Sequence, residues 1–273
     1  MAKQLFYIDN DGSEIPQPIL SLCIGDNHVS FAVTDRPCSR LYYLAYYSVD
    51  DTSAEDLSSI WSDHTELHRS FDEVQVCFDH SRNIFVPVQH YSEATAPALL
   101  DSIHGRNGTS TLMTEIVNEW QLVNVYAVPL KIQEWIQRKF PTSQCRHHFT
   151  LGIKRMPADH ADRLLVDIHT KEFSFIAIKE NKLLLAQTHQ YSSPADIVYY
   201  LLKACHQFSL SQEKAHLLVS GLVEKESQLY RELYQFFVHT ELRKPTWDVP
   251  STAGDECPSH FFTTLNDLAR CAS

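Results

Sequence analysis

The chain has 273 residues, 44% hydrophobic and 21% charged, with 34 acidic against 23 basic side chains and a net charge of −11. This is the composition of an ordinary soluble protein; it excludes wholesale disorder and argues against a nucleic-acid partner, because phosphate binding needs clustered Lys and Arg. The length predicts two domains, and the opening residues lack the apolar core of a signal peptide while no window reaches membrane-spanning length, so the expected location is cytoplasmic with no membrane insertion.

In chain order, "ILSLCIGD" (Ile19–Asp26) and "HVSFAVTD" (His28–Asp35) read as two strands joined by a tight turn at Asp26–Asn27. "SRLYYLAYYSVDD" supplies a third strand, dense in Tyr and Leu. "TSAEDLSSIWSDHTELHRSF" turns helical, with Leu57, Ile60, Trp61, His64 and Leu67 at spacings of three and four and Thr52 or Ser53 as cap. "DEVQVCFD" is again a strand. Further strands are expected at "NIFVPV", "TLMTEIV" and "EWQLVNVYAVP", a short helix at "APALLDSIHG", and a helix between Pro129 and Pro141. The loop His104–Thr111 is the expected mobile insertion, and its Asn107 sequon has no meaning without secretion.

From "CRHHFTLGIKRMP", read as a helix opening the second domain, the same order returns. "RLLVDIHT", "FSFIAIKE" and "KLLLAQTHQY" are three strands, with Glu180–Asn181 as a hairpin turn. "SPADIVYYLLKACHQFSL" is a helix capped by Ser193, with Pro194 first and Asp196 following, and "KAHLLVSG" is the closing strand. Two more helices, "KESQLYRELYQFF" and "PSHFFTTLNDLARC", flank a strand at "VHTELRK". Aligning Phe31 with Phe175 puts Ser30 on Ser174 and Cys23 on Asp167. A repeat of about half the chain predicts a tandem pair of α/β domains, residues 1–145 and 146–273, rather than a solenoid.

Some residue patterns have bland readings. The seven cysteines are odd in number and show no C-x-x-C spacing, so they read as small core residues. His64 and His68 stand at i, i+4, but His64 falls on the apolar stripe and reads as a packed core histidine. "CRHH" (Cys145–His148) has no second cluster at zinc-like spacing, so no metal site is expected. Ser220 has no nucleophile elbow around it, and no catalytic residue is assigned. Glycine is scarce: 7 residues, where an average share of roughly 7% would place about 19.

Three strands, a helix, a strand and further helices, given twice, resemble the actin-like ATPase fold with its paired ribonuclease-H-like domains. "VYAVPLKIQEWIQRKFP" and "SSPADIVYYLLKACHQFSL…LLVSG" resemble an uncharacterised Bacteroidetes family of that fold, and are similar to the pilus-assembly protein PilM. The resemblance implies a mixed sheet flanked by helices in each domain, and Mg-ATP held between the domains in active members. The positions it assigns to cofactor binding are Gly25, Asp26, Asp167, Ser220 and Gly221. Here the first-strand Asp is replaced by Cys23, "DNH" stands for the small hydroxyl residues, and His169, Thr170 and Lys171 replace the second turn's glycines.

These departures lead to the expectation of a non-catalytic scaffold with degenerate nucleotide-binding loops and no cofactor, acting through a protein partner or self-association. The tyrosines of "LYYLAYYSV" suit a partner or dimer contact edge, the alternative being that half of them fill the core by strand alternation. The alternative is an ATP-dependent enzyme, a kinase or weak ATPase, with Asp167 on Mg²⁺ and Asp26 supplying the missing carboxylate. A third reading, an anion sensor, needs Lys171, Lys179 and Lys225 to line its site.

Overall fold

The computed structural model describes residues 2–10, 14–106, 108–156, 159–247 and 257–272. Asn107, and with it the sequon, lies outside these. The chain divides into two compact units: one holds the residues up to Lys154, with Trp247 and the stretch from Leu265; the other runs from Arg155 to Thr246 and includes the residues before Leu265.

The first unit contains β1 (Lys3–Asp9), β2 (Ile19–Gly25), β3 (His28–Thr34), β4 (Leu41–Ser48), α1 (Ala54–Asp63) and β5 (Glu73–Asp79). It continues with β6 (Asn83–Pro87), α2 (Ala96–His104), β7 (Ser110–Val117), β8 (Leu122–Pro129), α3 (Leu130–Lys139), β9 (Gln144–His147) and α4 (His148–Lys154). Its main sheet has the order β1-β4-β3-β2-β5-β9, with β5 and β9 parallel to their neighbours and the rest antiparallel. β6, β8 and β7 form a separate antiparallel sheet with its own core of Ile84, Val86, Val123 and Val125. Central strands β2 and β3 are buried on both faces, which is why they read as near-continuous apolar runs rather than as alternation.

Ser53 caps α1 in a reciprocal box with Asp56. The helix stops at His64, whose backbone is extended, and a single 3₁₀ turn follows at Thr65–His68. His64 and His68 therefore do not share a helical face. His64 is buried between the Tyr47 hydroxyl and Glu66, each at 2.6 Å, in line with the packed reading.

Two sequence expectations fail here. The opening residues carry strand β1, which pairs along β4 from Lys3↔Ser48 to Asp9↔Tyr43. With that edge covered, Tyr42, Tyr43, Tyr46 and Tyr47 are buried in the sheet and are not a contact edge. "QCRH" is not the start of a helix: it is β9, paired with β5 from Gln75↔Gln144 to Phe78↔His147, and the helix begins only at His148. Four residues show too little alternation to be read as a strand without their partner.

The second unit contains β10 (Arg163–Ile168), β11 (Glu172–Lys179), β12 (Lys182–Gln190), α5 (Pro194–Phe208), β13 (His216–Gly221), α6 (Gln228–Phe236) and β14 (His239–Leu242). Helix α7 (Thr263–Ala269) has its first two residues in this unit. The sheet order is β12-β11-β10-β13-β14. Glu180 and Asn181 make the β11–β12 turn, both at positive φ (50° and 59°), as a two-residue hairpin requires. Ser193 and Asp196 form the expected capping box, and Ile197, Leu201, Ala204 and Cys205 of α5 pack into the core below Phe173 and Phe175.

The repeat inferred from sequence is visible in the pairing. Phe31 faces Leu22 and Ser30 faces Cys23; Phe175 faces Val166 and Ser174 faces Asp167.

Candidate functional site

The site residues proposed from sequence fall into two groups, one at the end of each unit's first hairpin.

In the first unit, Gly25 ends β2 and pairs in register with Asp79 of β5. A Cβ on Gly25 would lie 2.1 Å from Cε1 of His28, so the glycine makes room for that imidazole. The ring is stacked on Tyr46, with centroids 5.7 Å apart and planes within 3°, and is wholly buried. Asp26 turns the other way. Its carboxylate takes His80 Nδ1 at 2.6 Å, the Ser81 backbone N–H at 3.0 Å and the Ser81 hydroxyl at 2.7 Å. Burial alone would raise its pKa, but the His80 and Ser81 hydrogen bonds outweigh that and hold it at about 2. The turn carbonyls of Asp26 and Asn27 accept from Thr52 and Val49, each at 2.9 Å. The Asp26 carboxylate and the two turn carbonyls are thus bonded within their own unit.

In the second unit, Asp167 faces Ser220 across the β10–β13 pair, and Ile168 faces Gly221. Gly221 has φ +83°, and a Cβ there would lie 2.2 Å from the Ile168 carbonyl oxygen and 2.6 Å from Asp167 Oδ1. No other residue type fits that backbone. Asp167 is buried and accepts a 2.5 Å hydrogen bond from the Thr264 hydroxyl at the start of α7. The Ser220 hydroxyl donates to the Val166 carbonyl at 3.3 Å. The turn is held by Tyr191, whose hydroxyl donates to the His169 carbonyl at 2.7 Å.

The lysines required for an anion site are not arranged as one. Lys171 and Lys225 are exposed, and Lys179 donates to the Ser209 carbonyl beyond α5 at 2.9 Å. Sequence reading missed His28, His80, Ser81 and Thr264, which occupy the positions beside the named residues. The only local signal was the "DNH" in place of small turn residues.

The family described as "Protein of unknown function (DUF3822)" matches residues 9–240. The chain belongs to this family. A search of the curated proteins gives no match. Among solved structures, the DUF3822 chain is similar to a Bacteroides thetaiotaomicron VPI-5482 protein with an actin-like ATPase fold and unknown function: TM-score 0.74, 18% identity, covering 91% of this chain and 99% of that one. It is also similar to a chain of the PilM–PilN type IV pilus biogenesis complex: TM-score 0.60, 12% identity, covering 93% and 98%. At these identities the likeness shows the fold alone, and that fold is the actin-like ATPase fold read from the duplicated hairpins.

Proposed function

We propose that this DUF3822 protein is a non-catalytic scaffold of actin-like fold that works by binding another protein or a second copy of itself. The observation that carries the reading is that both hairpin ends are filled by the chain's own side chains. The Gly25 approach is taken by His28, the Asp26 carboxylate by His80 and Ser81, and Asp167 by Thr264. A phosphate cradle needs open backbone N–H groups reached past glycines, and a Mg²⁺ site needs a carboxylate with oxygens turned to water and metal. The residues present fit neither demand, so no ATP-dependent step is derived through them. The structural likeness to a chain of the PilM–PilN complex supports a partner-binding role for the fold. Seven free cysteines support a reducing, cytoplasmic setting, and no helix among the described residues is long and apolar enough to cross a membrane.

The test is a thermal-shift titration with ATP and ADP, each with and without Mg²⁺. A ligand at a hundred times its Kd stabilises by about 2.7 kcal/mol, enough to move the melt by several degrees. The expected result is no movement at millimolar nucleotide, together with a concentration-dependent mass in light scattering or a captured protein that survives purification. A Mg-ATP shift abolished by Asp167→Ala would replace the scaffold by a nucleotide-switched protein.

A further inference from the structure

The end of the first unit's main sheet gathers donor atoms that no sequence motif brings together. Cys23 of β2, His28 at the start of β3 and Asp79 at the end of β5 are all buried, and one donor atom from each lies within 4.8 Å of the others. Cys23 Sγ is 3.8 Å from His28 Nε2, and the same nitrogen is 3.7 Å from Asp79 Oδ2. We propose that Cys23, His28 and Asp79 bind a zinc ion.

Three lines of chemistry lead there. The first is distance. Metal–ligand lengths of about 2.3 Å to sulfur and 2.0–2.2 Å to nitrogen and oxygen, at tetrahedral angles, put the donor atoms roughly 3.4–3.6 Å apart. The two separations from His28 Nε2 exceed this by only a few tenths of an ångström, and the Cys23 and Asp79 donor atoms lie within 4.8 Å of each other; 3.7 Å is also beyond any useful N–H···O hydrogen bond. The second is proton count. A neutral imidazole nitrogen has either one N–H or one lone pair, so Nε2 cannot serve both a thiol and a carboxylate as donor. A cation at the centre takes a lone pair from each. The third is charge. On binding, the Cys23 thiol gives up its proton to solvent, the divalent ion balances the resulting thiolate and the Asp79 carboxylate, and sulfur, imidazole and carboxylate are the donor set zinc accepts.

The surroundings hold the donors in place. Gly25 lets the His28 ring lie against the backbone, and Tyr46 stacks on that ring. This assignment rests on the first unit alone and does not depend on the scaffold reading.

The experiment uses the full chain, untagged and stripped with chelator, titrated with Co²⁺ as a spectroscopic stand-in and then competed with Zn²⁺. The expected result is a thiolate-to-cobalt charge-transfer band with tetrahedral d–d absorption, saturating near one ion per chain and erased by Zn²⁺. Cys23→Ser should remove the charge-transfer band, and Asp79→Asn should weaken binding. Cys205→Ser, a buried thiol in the second unit, should change nothing in the spectrum. Variants are compared only where circular dichroism matches the parent. The wild-type titration needs no variant: absence of the band at saturating Co²⁺ overturns the proposal, and so does its survival in Cys23→Ser.

Discussion

In the first hairpin, Gly25 closes against a side chain, the ring of His28, whereas beside the second, Gly221 at the end of β13 closes against backbone, the carbonyl of Ile168. The two hairpins share their pairing register and differ in what fills the end. Cys23 stands in one where Asp167 stands in the other, and Cys77 where Ser220 stands. A duplicated fold preserves the strand geometry because the core enforces it, while the residues at the strand ends are free to take different chemistry. Here one end has become a sulfur- and imidazole-rich pocket and the other a compact Asp–Thr closure.

The contrast between ring and backbone can be broken by two substitutions. Gly221→Ala should destabilise by about 3 kcal/mol, because the strain of positive φ adds to a backbone clash that cannot rotate away. Gly25→Ala should cost about half as much, because the His28 ring can swing aside, and His28→Ala in the same chain should recover most of the loss. Midpoints of urea unfolding measure both. Equal costs, or no recovery in the double variant, would remove the distinction drawn between the hairpins.

A smaller effect separates the units by pH. Burial pushes the Glu115 carboxyl of β7 up to about 7, against the pull of the His147 N–H that it accepts. The folded protein then keeps a proton that the unfolded chain releases near 4.5. Its contribution is present below that pH and is lost as pH rises to about 7, by at most roughly 1.4 kcal/mol per unit. Burial holds the adjacent His147 imidazole down at about 3, which raises stability with pH over most of the same range, so the Glu115 part is read as a difference: from pH 4.5 to 7 unfolding midpoints should gain more, or fall less, in Glu115→Gln than in the parent.

The smallest expected effect is at Asp26. Asp26→Asn keeps the shape but weakens the bonds from His80 and Ser81, which should cost about 1 kcal/mol and leave the second unit untouched. A loss several times larger would mean that the loop after β5 depends on this carboxylate more than its partial exposure suggests.

Much of the fold was legible because its signals are local. The Ser193 cap, the Glu180–Asn181 turn and the shared Phe–Ser register of the two hairpins each depend on residues a few positions apart. What escaped depends on pairing across long stretches. β1 is not read as an element from its own residues and takes its place only beside β4, and β9 is too short to declare itself without β5. The same holds at the hairpin ends. Gly25 was found from the resemblance, but that a histidine three residues on would fill the space above it, and that Asp79 would come alongside, is set by the β2–β5 pairing.

That pairing pattern has a consequence for chain entropy. β9 joins β5 by linking Gln75 to Gln144, 69 positions apart, and everything between them includes a three-stranded sheet with a core of its own. Loop closure costs grow only with the logarithm of length, about 0.6 kcal/mol per doubling, so an insertion of this size burdens the main sheet little. Tyr126 and Val128 of β8 and Ile132 and Ile136 of α3 nevertheless belong to the main sheet's core, so it is the loops between β6 and β7 that can change length without disturbing the strands on either side. The last strand of the sheet, and the two histidines that follow its Cys–Arg pair, arrive at their places whatever the length of those loops.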